Sequence, residues 1–128
     1  GWLVRNGMSY VNTTTDIGQP AINHTFVTEK APRTAVGILK KGANVDGDDY
    51  IMALLQVDGV EDLNLGPDLF EFAELAVELG FESLINIDGG GSSVSIHNGE
   101  VISRPTCDDT GRVCERRDAN IACVKKSK

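Results

Sequence analysis

Three consecutive glycines, Gly89, Gly90 and Gly91, interrupt the most apolar stretch of the chain. Leu84, Ile85 and Ile87 precede them and Val94 and Ile96 follow, so the flanks read as strands joined by a bend that has no Cβ atom. Such a bend lets a ligand approach bare backbone N–H groups. Asp88 leads into the bend and Ser92 leads out of it, setting a carboxylate and a hydroxyl beside those donors. That is the chemistry of a site for a sugar, a phosphate or both. The other reading is a strained β-bend in which Asp88 and Ser92 only cap neighbouring amides.

The rest of the pattern puts strands on both sides of one helix. Residues 2–5 and 8–11 form a hairpin around Asn6-Gly7, the pair that a type I′ turn favours. Residues 12–32 are polar and aperiodic and read as a long surface loop. Strands follow at 35–40 and 50–57, with turn-rich residues 42–49 between them. Asp46, Asp48 and Asp49 there lack the Glu and flanking helices of a calcium loop, so a hairpin turn is expected.

Gly66-Pro67-Asp68 opens the helix, with Pro67 suited to the first turn and Asp68 to the positive end. Leu69, Phe72, Ala73, Ala76 and Leu79 recur at helical spacing; Glu71, Glu74 and Glu78 mark the wet face, and Gly80 stops it. Strands are expected at 83–88, on both sides of Asn98-Gly99, and at 119–124. The order predicts an α+β fold with an antiparallel or mixed sheet and one main amphipathic helix.

The 128 residues suffice for one domain with its own core. A net charge of −7 argues against nucleic acid and anionic membrane surfaces, and no run is apolar enough to span a bilayer. The glycines fit neither the P-loop nor the dinucleotide fingerprint, and Ser92 lacks the spacing of a hydrolase elbow, so no cofactor is expected. No metal is expected either. The three cysteines lack short C-x-x-C spacing, and His24 and His97 lie far from them.

An odd cysteine count leaves one thiol to find a partner elsewhere. Cys107 and Cys114 bracket a polar, turn-forming loop, and closing it would contribute about 2.5 kcal/mol. Sequons begin at Asn12 and Asn23, two candidate glycosylation sites. Together these favour the secretory pathway. The abrupt start at Gly1-Trp2, with nothing resembling a signal peptide, suggests that upstream sequence has been removed.

Several segments taken together resemble a known family. They are residues 1–7, Arg33-Thr34-Ala35-Val36-Gly37, Asp58-Gly59, the helix at 69–79, Asn86-Ile87-Asp88-Gly89-Gly90-Gly91-Ser92, Asn98-Gly99 and the three cysteines. The chain resembles the C-terminal part of the phosphodiester glycosidase domain over nearly its whole length, residues 12–32 apart. The resemblance implies an incomplete domain lacking its N-terminal strands. It also implies a hydrolase that splits a sugar-1-phosphodiester, as animal members do when they remove N-acetylglucosamine to expose mannose 6-phosphate. Its setting would be the Golgi or the extracellular space. Cys107 would pair with Cys114, and Cys123 with a cysteine of the missing N-terminal segment.

On that basis Arg33, with Thr34 beside it, would grip the phosphate through its planar fork. Asp88 would be the nucleophile or general base, and Asn86, two residues earlier on the same strand face, would share its pocket. The amides of Gly89, Gly90 and Gly91 would line anionic or sugar oxygens, with Ser92 adding a hydrogen bond. Asp58 would supply a second carboxylate, unless it only ends a strand in a turn; Arg33 read alone is a surface ion pair. The competing function is a secreted, non-catalytic module of the same fold that binds a glycan or phosphate or serves in an assembly.

Overall fold

The structure, a computed structural model, describes residues 1–12, 24–40, 50–118 and 121–124. The first hairpin pairs β1 (Trp2–Arg5) with β2 (Met8–Ser9). Its turn holds Asn6 at φ 54° and Gly7 at φ 70°, the two left-handed positions that a type I′ turn requires. A short helix α1 (His24–Thr28) leads to strands β3 (Arg33–Lys40) and β4 (Tyr50–Val57). A 3₁₀ turn (Glu61–Leu63), helix α2 (Leu69–Glu78) and strand β5 (Phe81–Asn86) follow. The glycines begin a second 3₁₀ turn (Gly90–Ser92), before the short strands β6 (Ile96–His97) and β7 (Glu100–Val101).

Five strands form one sheet in the order β2-β1-β5-β3-β4, every neighbour antiparallel. The fold is therefore α+β, and its main sheet is antiparallel rather than mixed. β3 sits inside, bonded to β4 over its whole length and to β5 from Ala35 onward. Gly37 is at the middle of β3 for a steric reason. A Cβ there would stand 2.1 Å from the Ser83 carbonyl oxygen and 2.8 Å from Leu84 Cδ1.

Helix α2 starts at a capping box. Asp68 accepts the Glu71 amide at 2.9 Å, and the Glu71 carboxylate accepts the Asp68 amide at 3.0 Å. Pro67 thus lies just before the cap rather than in the first turn. Glu71 also accepts from Lys30 Nζ at 2.6 Å, which ties the helix start to the end of the α1 segment. Leu69, Phe72, Ala73 and Ala76 go into the core against Leu3, Val4, Ala35, Phe81 and Leu84. Each large apolar side chain buried this way contributes about 1.5–3 kcal/mol before entropy. Leu79, expected on the apolar stripe, is the C-cap residue and lies half exposed. Gly80 then turns the chain at φ 88°.

The opposite face of the sheet is different. Trp2, Ile85, Val36 and Leu54 are cross-strand neighbours on four adjacent strands, with Ile38 and Met52 paired in the next row. Ser93 and Ser95 reach one end of this face through hydrogen bonds to Thr34 and Gln56. The apolar rows remain exposed, Met52 at 69% and Leu54 at 47%.

Several expectations change. Residues 12–32 are not merely a surface loop: they contain α1, and Val27 and Ala31 are buried. Polar neighbours had masked that single amphipathic turn. The strand expected at 83–88 ends at Asn86, Gly90 and Gly91 enter a 3₁₀ turn with Ser92, and the strand expected after them is confined to Ile96–His97. The last expected strand is absent from residues 121–124, which carry no regular structure; residues 119 and 120 lie outside the described set. The turn at 42–49 and the sequon Asn23 also lie outside the described residues, while Asn12 is described and exposed. Asn98-Gly99 does form its turn, with both φ values positive, between β6 and β7. Cys107 and Cys114 are disulfide-bonded, Cα atoms 5.2 Å apart, and Cys123 is exposed and free. Among the described residues no helix is long and apolar enough to cross a membrane.

Candidate active site

Three pieces of chain enclose a cavity of about 220 Å³. Phe26, Glu29 and Arg33 come from α1 and the start of β3; Glu61 comes from the first 3₁₀ turn. Asn86, Asp88 and Gly89 come from the end of β5 and the residues after it. Arg33, Asn86, Asp88 and Gly89, proposed from sequence as partners, thus share one cavity.

Arg33 is not a surface ion pair. It is 3% exposed, and among the described residues no carboxylate comes within salt-bridge distance of it. Its Nη2 donates to the carbonyls of Glu29 at 2.6 Å and Phe26 at 3.1 Å, and its Nε to that of Pro67 at 3.4 Å. The guanidinium also stacks over the Phe26 ring at 5.1 Å. Arg33 therefore holds α1 and the approach to α2 against the cavity wall. Burial lowers its pKa, opposed by the nearby charges of Glu29, Glu61 and Asp68.

The glycine amides are not left free for a ligand. Gly89 N–H donates to Asp88 Oδ1 at 3.0 Å, Gly90 N–H to the Pro32 carbonyl at 2.9 Å, and Gly91 N–H to Asp109 Oδ1 at 2.8 Å. Their missing side chains make room for protein. A Cβ on Gly89 would sit 2.8 Å from Pro32 O, one on Gly90 2.8 Å from Glu61 Oε2, and one on Gly91 2.7 Å from Thr106 O. The capped-bend reading fits Asp88, whose other oxygen has no partner among the described residues.

Ser92, Thr34 and Asp58 do not line the cavity. Ser92 Oγ accepts from Arg116 Nε and Nη2, and Thr34 Oγ1 donates to Ser93 Oγ at 3.0 Å. Asp58 accepts Gln56 Nε2 and the Arg104 amide, each at 2.9 Å, and so ties β4 to the segment after β7. Asn86 does lie at the cavity: Nδ2 donates to the Ile87 carbonyl at 3.0 Å, while its buried Oδ1 has no donor among the described residues.

Sequence reasoning missed Phe26, Glu29 and Glu61. The first two fall in the segment read as a loop, and Glu61 sits between strand and helix with no motif around it. Glu61 has its pKa raised, first by burial and then by the negative charges of Asp109 and Glu29. Among the described residues the one grouping with metal-ligand spacing is Cys107, Asp108 and Cys114, whose sulfurs are joined in the disulfide.

A family model described as phosphodiester glycosidase matches residues 1–125. The chain belongs to the phosphodiester glycosidase family. It is 34% identical to the N-acetylglucosamine-1-phosphodiester alpha-N-acetylglucosaminidase of Bos taurus over 96% of its own length. For the Homo sapiens protein of the same name the identity is 33% over the same share. These alignments cover 23% and 24% of the relatives, so the chain spans about a quarter of their length.

The glycosidase fold is seen in a solved relative. The zebrafish N-acetylglucosamine-1-phosphodiester alpha-N-acetylglucosaminidase catalytic domain, auto-inhibited by its pro-peptide, superposes with a TM-score of 0.71 at 31% identity. The match covers 90% of this chain and 37% of that one. A Synechocystis protein superposes at TM-score 0.59 with 21% identity over 88% of this chain and 18% of that one, a likeness of fold alone.

Proposed function

We propose that this chain is the C-terminal portion of a phosphodiester glycosidase domain. The domain would hydrolyse the bond between an N-acetylglucosamine anomeric carbon and phosphate in a diester. The observation that carries the proposal is that one cavity brings Asp88, Asn86, Arg33 and Gly89 together beside two further carboxylates. The relatives' names support an enzyme over a binding-only module of the same fold.

In the reaction, water adds its oxygen to the anomeric carbon and the bond from that carbon to the phosphate oxygen breaks. The phosphomonoester leaves with the electron pair. Asp88 would act as general base toward the water or as nucleophile in its place, since its exposed carboxylate oxygen is otherwise unengaged. Phosphate is already a good leaving group, which lowers the demand on an acid. Arg33 would keep the wall in register, and Asn86 would position Asp88 from two residues upstream.

The disulfide and the exposed sequon at Asn12 support a secretory-pathway setting, in the Golgi or outside the cell. The physiological product would be an uncovered mannose 6-phosphate. Cys123, exposed and free, would pair with a cysteine in the N-terminal segment of the domain. The test offers the protein an N-acetylglucosamine-1-phosphodiester and measures released N-acetylglucosamine. Turnover that Asp88→Asn abolishes without unfolding supports the assignment; no turnover, or full turnover in a folded Asp88→Asn protein, refutes it.

A further inference from the structure

The cavity brings three carboxylates, Glu29, Glu61 and Asp88, around one guanidinium, that of Arg33. With all four ionised the charge is three negative and one positive, a net of −2. The donors expected to neutralise a phosphate are already in use. Arg33 gives Nε and Nη2 to backbone carbonyls, and the amides of Gly89, Gly90 and Gly91 donate to Asp88, Pro32 and Asp109. An anion brought here meets few unspent donors and a repulsive field.

A neutral polyol meets the reverse. Carboxylates accept strong hydrogen bonds from hydroxyl and amide donors, and no side-chain donor among the described residues holds the Glu29 or Glu61 carboxylates. Phe26, on the cavity wall, is 41% exposed and offers apolar surface to a sugar's C–H groups. Negative charge also favours the positive charge that develops on an anomeric carbon as its bond to oxygen breaks. Burial is the main cause of the upward shift at Glu61; the charges of Asp109, Glu29 and Asp62 add to it and that of Arg33 opposes it.

We infer that this cavity is the subsite for the neutral glycosyl half of the substrate, held by the Glu61 and Glu29 carboxylates, and that the phosphate lies outside it. The inference rests on the glycosidase proposal above but names which half of the substrate goes where. It reverses the role that the sequence suggested for Arg33 and the glycines.

The test is binding to the 128-residue chain, with free N-acetylglucosamine and inorganic phosphate as separate probes. Backbone amide NMR shifts at Ile87, Asp88 and Gly89 serve as the readout. N-acetylglucosamine is expected to shift these amides, and Glu61→Gln to weaken its binding about tenfold, the loss of one hydrogen bond to a charged acceptor. Glu29→Gln changes affinity in the same direction. The sign separates the alternatives, because removing a carboxylate strengthens an anion and weakens a polyol. Phosphate shifting these amides and binding tighter to Glu61→Gln overturns the inference. So does sugar binding that neither variant changes, or no binding of the sugar. Sugar binding without diester hydrolysis leaves the subsite standing and removes the enzyme; hydrolysis with a sugar affinity indifferent to Glu61 and Glu29 does the opposite.

Discussion

Gly91 donates its amide to Asp109 Oδ1 at 2.8 Å, across eighteen residues of sequence. Asp109 lies inside the loop closed by the disulfide and is itself held at φ 61°. One carboxylate thereby connects the glycine bend to the cysteine loop. Asp109→Ala leaves a part-buried N–H unpaired and puts alanine in a left-handed conformation, so a loss of about 1–3 kcal/mol is expected. Asp109→Asn retains an acceptor and tolerates that conformation, and should cost less than about 1 kcal/mol by the same bookkeeping. Urea denaturation of the two variants checks the order.

Arg33 satisfies three carbonyls with one rigid fork. Lysine cannot reproduce that geometry, since its ammonium is a compact point on a flexible stem. Arg33→Lys is expected to destabilise the chain by about 2 kcal/mol and to loosen α1 first. Amide hydrogen exchange at residues 26–29, faster in the variant than in the parent, is the measurement.

Glu61 sets a pH dependence with a definite sign. Its folded pKa is raised above the ordinary value of 4.5, mainly by burial. The folded state therefore holds this proton more tightly than the unfolded chain. The contribution is fully present below 4.5 and is lost as pH rises through the folded pKa. Glu61→Gln should raise Tm at pH 7, with the difference from wild type shrinking as pH falls toward 4.5. A melting series across that range decides it; an advantage that grows on acidification contradicts the sign.

The disulfide between Cys107 and Cys114 constrains the unfolded chain across a separation of seven residues. Replacing both cysteines with serine should cost about 2.5 kcal/mol, the entropy of closing so short a loop. The shift in denaturation midpoint, compared with that of the parent in reductant, measures it.

Much of the fold was legible because its signals are local. Asn6-Gly7 and Asn98-Gly99 need positive φ, the spacing from Leu69 to Ala76 is helical, and Asp68 stands at the positive end of the helix; that Glu71 reaches back to complete a capping box is a finding of the structure. β4 was read with its observed limits because eight residues of strand-forming character stand between turn signals. The site was legible only in part. Asp88, Asn86 and Arg33 line one cavity, but what the glycines make room for is not written in their own segment. Whether a bare amide faces a ligand or a carbonyl such as that of Pro32 depends on contacts far along the chain. Glu29 and Glu61 reach the cavity through tertiary packing alone, and nothing within a few residues of either announces it.

The uncovered sheet face sets how this polypeptide behaves in a tube. Contacts made through Ile38, Met52 and Leu54 would be driven by release of ordered water, so they strengthen on warming and weaken on chilling. Light scattering from a concentrated sample should therefore rise between the cold room and body temperature and fall back on cooling. Lysine at Met52 should abolish that cycle while the helix side of the sheet stays intact.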